Sequence, residues 1–210
     1  MIWFLTAASP YSFPYPVIIR QVFNSIFRSC SYIVTQDGCS WLVDCGDLDQ
    51  ILPLIEGTLC GVLLTHGHFD HIYGLNQLLN MYPDVAIYTN DSGYETLYND
   101  KLNFSKFYGN TLQIQPVKNI RILLDGDQFE LFDGVNVKAV FTPGHSPCCV
   151  TWVLDDVMFT GDSYIPGVKT VTNLPHCNKE QAACSETIIK QLAEHRTVYP
   201  GHAPENDEII

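Results

Sequence analysis

The sequence predicts a mixed α/β fold whose strands end in a metal-type site. Short apolar, β-branched runs dominate both halves of the 210-residue chain, with helix-spaced segments between them. Four of those runs close in a glycine-containing turn that presents a histidine or an aspartate. Five of the seven histidines fall in three of these turns.

Residues 1–16, with Pro10, Pro14 and Pro16 among aromatics, predict an extended lead-in that is a candidate for packing against a partner chain. Residues 17–23, 30–35 and 40–45 read as strands, the last two joined by the turn Gln36-Asp37-Gly38. A strand at 62–64, helical spacing over 74–82 and a strand at 85–88 follow. The polar, aromatic-studded stretch 91–107 predicts a helix. Further strands are expected at 120–124, 128–131, 135–141, 150–154 and 157–160, with Asp125-Gly126 and Asp133-Gly134 as hairpin turns. The spacing over 179–194 predicts a helix with Cys184, Ile188 and Leu192 on one side, before a last strand at 197–199. No Ser/Gly linker or charge block divides the chain, so one domain over 1–210 is expected.

Eleven Lys and Arg against 23 Asp and Glu leave a net charge of −12. Phosphate backbones and anionic membranes demand clustered cations, which excludes nucleic-acid and membrane-surface roles. No apolar run approaches the ~20 residues of a membrane span, and no basic stretch precedes the apolar N-terminus. A cytoplasmic protein is expected. None of the eight cysteines forms a CxxC pair and most sit in apolar runs, so buried thiols are expected.

The ligand-bearing turns are Thr65-His66-Gly67-His68-Phe69-Asp70-His71, Thr142-Pro143-Gly144-His145, Gly161-Asp162 and Gly201-His202. A weak internal echo relates the first two, each an apolar run followed by Thr and a Gly-His pair. His66 and His68, two apart in extended chain, point the same way and can grip one ion, completed by His145. Asp70, His71 and His202 can hold a second, and Asp162 can bridge the two. His176 and His195 share no such context and are expected on the surface. Imidazole with few carboxylates suits zinc, and also iron or manganese, and an open position marks a catalytic rather than a structural centre. Two divalent ions outweigh Asp70, Asp162 and a shared hydroxide, leaving a positive centre suited to an oxyanion.

His66-x-His68-x-Asp70-His71 followed by His145, Asp162 and His202 resembles the metallo-β-lactamase superfamily, over about residues 29–202. The resemblance implies an αββα sandwich with a dinuclear site at one edge, two divalent ions and a bridging hydroxide as nucleophile oriented by Asp70. It places Asp44, in Val43-Asp44-Cys45-Gly46, as a support that fixes ligand orientation. Thr142-Pro-Gly-His-Ser-Pro and Phe159-Thr-Gly-Asp-Ser look closest to hydroxyacylglutathione hydrolases, the glyoxalase II thioesterases. This chain ends eight residues after His202, without the C-terminal helical domain of those enzymes. By the same resemblance Lys169 is placed to meet an anionic substrate group. The function implied is hydrolysis of a thioester or ester-type bond in a small-molecule acyl substrate. The alternatives within the superfamily are a lactonase and a mononuclear iron persulfide dioxygenase.

Between the first and second ligand groups lie Tyr94, Tyr98, Phe104, Phe107 and Tyr108. Core packing is expected for most of them. Some, with Tyr73 and Tyr164, are candidates for lining a substrate cleft, which would favour an apolar or aromatic acyl group.

Overall fold

Alternation along three central strands decides the layering. In β2 (Cys30–Gln36) Tyr32 and Val34 oppose Ile33; in β3 (Cys39–Val43) Trp41 and Val43 oppose Leu42; in β4 (Thr58–Leu63) Leu63 opposes Val62. All of these are buried, so this sheet is covered on both faces. Ile33, Leu42 and Val62 join Leu48, Ile51, Ile72, Leu75 and Leu78 in a core beneath helices. Tyr32, Val34, Trp41, Val43 and Leu63 instead meet Leu131, Val137, Ala139, Trp152 and Phe159 of a second sheet. Beyond that sheet a smaller cluster joins Val153 and Met158 to Ile189. Three apolar layers therefore separate helix, sheet, sheet and helix, the αββα order expected.

The computed structural model describes residues 16–203. The first sheet runs β1 (Ile18–Phe23), β2, β3, β4, β5 (Ile87–Thr89), β6 (Ile120–Ile122), antiparallel from β1 to β3 and parallel from β3 to β6. The second comprises β7 (Gln128–Phe132), β8 (Val135–Phe141), β9 (Val150–Val153), β10 (Val157–Gly161) and β11 (Thr197–Pro200), antiparallel except for the β10–β11 pair. Helices α1 (Leu48–Ile51), α2 (Phe69–Ile72), α3 (Leu75–Met81) and α4 (Asp91–Leu97) precede the second sheet, and α5 (Lys179–Leu192) lies between β10 and β11. The proposed lead-in falls almost wholly outside the described residues. Among those described, no helix is long and apolar enough to cross a membrane.

Two indoles stitch the sheets reciprocally. Trp41 of the first sheet donates from Nε1 to the Leu131 carbonyl at 3.0 Å. Trp152 of the second donates to the Leu64 carbonyl at 3.0 Å, just before the first ligand turn. Tyr32 adds a third tie, from its hydroxyl to the Pro200 carbonyl at 2.6 Å.

Several expectations are corrected. Asp125-Gly126 is a crossover between the two sheets, since β6 and β7 belong to different ones; Asp133-Gly134 does turn a hairpin. The helix expected over 91–107 stops at Leu97, because the Asn99 side chain accepts from the Lys101 and Leu102 amides and offers the backbone a turn instead. Only a 3₁₀ turn, Ser105–Tyr108, follows. Helix α5 buries Ala182, Ser185 and Ile189 rather than the Cys184, Ile188 side. Small residues are needed there: a Cβ on Gly144, at φ 139°, would stand 2.3 Å from the Ala182 nitrogen. The Ser185 hydroxyl donates to the Pro143 carbonyl at 2.7 Å. Finally, Cys39 and Cys60 form a disulfide between β3 and β4, with Cα atoms 6.1 Å apart, whereas the other six cysteines are thiols.

Truncating Trp152 to Ala removes a fully buried ring and is expected to cost roughly 3–5 kcal/mol in denaturant unfolding. Trp152→Phe keeps the packing but orphans the Leu64 carbonyl, for about 1–3 kcal/mol. A Trp152→Phe variant as stable as wild type would show that the indole N–H contributes nothing.

Candidate metal centre

Every ligand candidate is carried past the end of a strand. His66 follows β4; His68 is the residue before α2, whose first turn supplies Asp70 and His71. His145 follows β8, Asp162 follows β10 and His202 follows β11. The two sheets bring these ends to one edge of the sandwich. His66, His68 and His145 converge with ligand atoms within 4.8 Å of one another, and Asp70, His71 and His202 form a second such group.

Asp162 stands between them. Its Oδ2 lies 3.4 Å from His145 Nε2 and 3.3 Å from His202 Nε2, and its Oδ1 is 3.5 Å from His71 Nε2. In the second group Asp70 Oδ2 is 3.2 Å from His202 Nε2 and 3.5 Å from His71 Nε2. In the first, His145 Nε2 faces His68 Nδ1 at 2.9 Å. The close approach of Asp162 to the β11 turn requires Gly201, where an added Cβ would fall 2.1 Å from Asp162 Oδ1.

Four of the five imidazoles are aimed by a partner on the far nitrogen. His145 Nδ1 meets the Val171 carbonyl at 3.0 Å and His202 Nδ1 the Phe27 carbonyl at 2.9 Å. His71 Nδ1 meets Asp44 Oδ2 at 2.9 Å, and His66 Nδ1 meets the Thr65 hydroxyl at 3.1 Å. With Nδ1 engaged by these partners, the Nε2 atoms of all four turn inward. Asp44, 1% exposed at φ 56°, also accepts from the Thr65 amide at 2.8 Å and the Thr65 hydroxyl at 2.6 Å. It is therefore placed as a support of both groups rather than as a plain turn residue.

This environment suits cations. His66 Nε2 and Asp162 Oδ1 are buried without a hydrogen-bond partner, a cost that a bound ion would remove. The paired inward atoms stand 2.9–3.5 Å apart, close to the ~3.3 Å between two ligands of one tetrahedral ion with bonds near 2.0–2.1 Å. Burial, with His145 alongside, pushes the His68 imidazole down to about 3, so it is a free base. Burial opposes charge on His202 as well, yet its hydrogen bonds to Asp162 and Asp70 hold it up at about 10. Burial likewise opposes ionisation of Asp162, but His71 and His202 keep its carboxyl well below the ordinary carboxylate range. The carboxylates thus draw positive charge into the second group, and nitrogen and oxygen donors without thiolate fit zinc, iron or manganese.

Other candidates lie elsewhere. The Tyr73 hydroxyl is committed to Asp47, and its ring lies against Phe69. Tyr164 packs on the cluster beneath α5, under Lys190, and Lys169 is exposed on the connection between β10 and α5. His176 is exposed as expected, yet it also borders a cavity of about 160 Å³ beside His68, with Glu95, Thr96, Phe104 and Ser146. The supports Thr65, Phe27 and Val171 were not singled out from sequence. Thr65 was legible in the Thr-x-Gly-His echo; the other two act through backbone carbonyls, which no side-chain pattern marks.

A probable metallo-hydrolase, YqgX of Bacillus subtilis, is 29% identical over 195 residues, 90% of each chain. An atrochrysone carboxyl ACP thioesterase of Aspergillus fumigatus is 34% identical over 145 residues, spanning 64% of this chain and 29% of its own length. A hydroxyacylglutathione hydrolase of Pseudoalteromonas translucida is 28% identical over 131 residues, 61% of this chain and 42% of its own. The crystal structure of BLEG-1, a B3 metallo-beta-lactamase, shares the fold with a TM-score of 0.80 at 23% identity, over 89% of this chain and 92% of that one. Residues 27–202 match the profile of the metallo-beta-lactamase superfamily, and the chain belongs to that family.

Proposed function

We propose that the protein is a dinuclear metal-dependent hydrolase that cleaves a thioester or closely related ester in a small-molecule acyl substrate. The observation that carries this reading is Asp162, whose carboxylate lies within 3.5 Å of histidines from both ligand groups. On this reading His66, His68 and His145 would hold one ion and Asp70, His71 and His202 the other, with Asp162 shared. Bound there, two divalent ions supply Lewis acidity for the acyl carbonyl and lower the pKa of water to ~7.

The chain's own groups do the rest. Asp70, with Oδ2 beside His202 and His71, accepts a proton from the attacking water and orients it. Asp44 and Thr65 fix His71 and His66, while the carbonyls of Phe27 and Val171 fix His202 and His145. The leaving group decides between substrate classes. The Tyr73 hydroxyl, committed to Asp47, is not free to hand a proton to a departing amine. A thiol with a pKa near 8.5 leaves as the thiolate without such help. Two relatives named as a thioesterase and a hydroxyacylglutathione hydrolase support the same choice.

Asp70→Asn is expected to lower kcat for thioester hydrolysis by roughly 10²–10⁴-fold, with an unchanged melting temperature. Turnover near wild type would remove Asp70 from the mechanism. Asp44→Asn, which leaves every ligand in place, is expected to weaken metal binding about 10–100-fold in a chelator competition. Unaltered affinity would reduce Asp44 to a turn residue.

A further inference from the structure

We propose that an aromatic wall beside the second ligand group selects acyl substrates carrying a flat, apolar group such as an aryl ring. The proposal rests on the hydrolase reading for the reaction, but its geometry stands separately.

Two segments far apart in sequence build the wall. Phe27, in the connection from β1 to β2, and Tyr108, at the end of the 3₁₀ turn Ser105–Tyr108, bring their rings to 5.0 Å at a tilt of 60°. Tyr108 also lies parallel to Phe69, with centroids 6.5 Å apart. On the other side Phe104 sits 4.7 Å from the His68 ring and 5.8 Å from Phe107. Both aromatic groups adjoin ligands: the Phe27 carbonyl meets His202 Nδ1, and the Phe104 ring lies 4.7 Å from that of His68.

Phe69 and Phe104 are buried, but the other three rings are not explained as core. Phe27 is 55% exposed, Tyr108 58% and Phe107 67%. Exposed aromatics so close together leave π faces in water that a flat ligand would cover. The backbone is also held in costly conformations to place them. Phe27 and its neighbour Arg28 have φ of 52° and 54°, each a left-handed residue without glycine's freedom. That strain is sustained by a network around the β1–β2 connection. Asn24 closes it through its amide to the Ser29 carbonyl, 2.8 Å, and Ser29 donates from its hydroxyl to the Asp70 carbonyl, 2.7 Å. Arg28 is turned onto the Phe23 ring, 5.6 Å from its centroid, so the Phe27 face is left apolar. A ring strained into solvent beside a ligand has a role in contact with substrate, whereas one strained into the core would serve packing.

The test uses metal-loaded protein and two carboxylate products, phenylacetate and acetate, followed by calorimetry. Wild type is expected to bind phenylacetate at least about tenfold more tightly than acetate. Phe27→Asn, which tolerates the left-handed backbone and keeps the carbonyl to His202, and Tyr108→Ala should each shrink that ratio, and the double variant should abolish it. Metal content measured alongside shows that the centre is intact. Equal binding of the two acids by wild type, or a preference that survives in the double variant, would overturn the proposal. Phenylacetate preference without thioester hydrolysis would leave the wall standing and defeat the reaction reading; hydrolysis without preference would do the reverse.

Discussion

The carboxylate of Asp44 is the interaction on which the site depends. It is buried at the end of β3, held at φ 56°, and accepts hydrogen bonds from the Thr65 amide, the Thr65 hydroxyl and His71 Nδ1. Thr65 in turn meets His66 Nδ1, so one acid orients a ligand of each group. A buried carboxylate is tolerable only when its lone pairs are satisfied, and here three donors do so from the end of β4 and from α2. The consequence is rigidity: neither imidazole can rotate without stranding a charge in the core.

The surrounding fold brings the remaining ligands to that point. Each sheet supplies part of the site, so the sheets must stay in register at one edge. The Trp152 indole reaches the Leu64 carbonyl one residue before Thr65, and the Val150 amide meets the Thr65 carbonyl at 2.7 Å. At the opposite corner the Cys30 amide meets the Gly201 carbonyl at 2.7 Å, beside His202. These direct bonds across the sandwich hold ligand turns, while the Trp41–Leu131 bond ties the sheets away from the site. Glycine at 144 and 201 lets α5 and Asp162 approach closer than any side chain would permit.

Much of this was legible in the sequence because it is local. Strands such as 135–141 announce themselves by alternation, and the repeated strand–glycine–ligand unit placed all seven candidates at strand ends before any contact was known. Partner choice across distance was not legible. Asp125-Gly126 has hairpin chemistry, but Gly126 donates to Ala139 and its turn carries the chain into another sheet. Cys60 reads as a small hydrophobe until β4 pairs with β3 and brings it to Cys39. Tyr73 and Tyr164 follow ligands in sequence, yet the path of α2 and the packing of α5 turn them to Asp47 and to Ile189. Phe27, 39 residues before His66, gave no signal at all, since its contribution is a carbonyl and a strained backbone.

The central claim is that this constellation holds a pair of ions that share Asp162. Elemental analysis of protein purified without added metal, before and after equilibration with zinc, tests it directly. The account predicts about two divalent ions per chain, falling in Asp162→Ala. A single ion per chain at saturation, with Asp162→Ala retaining it, would contradict the account.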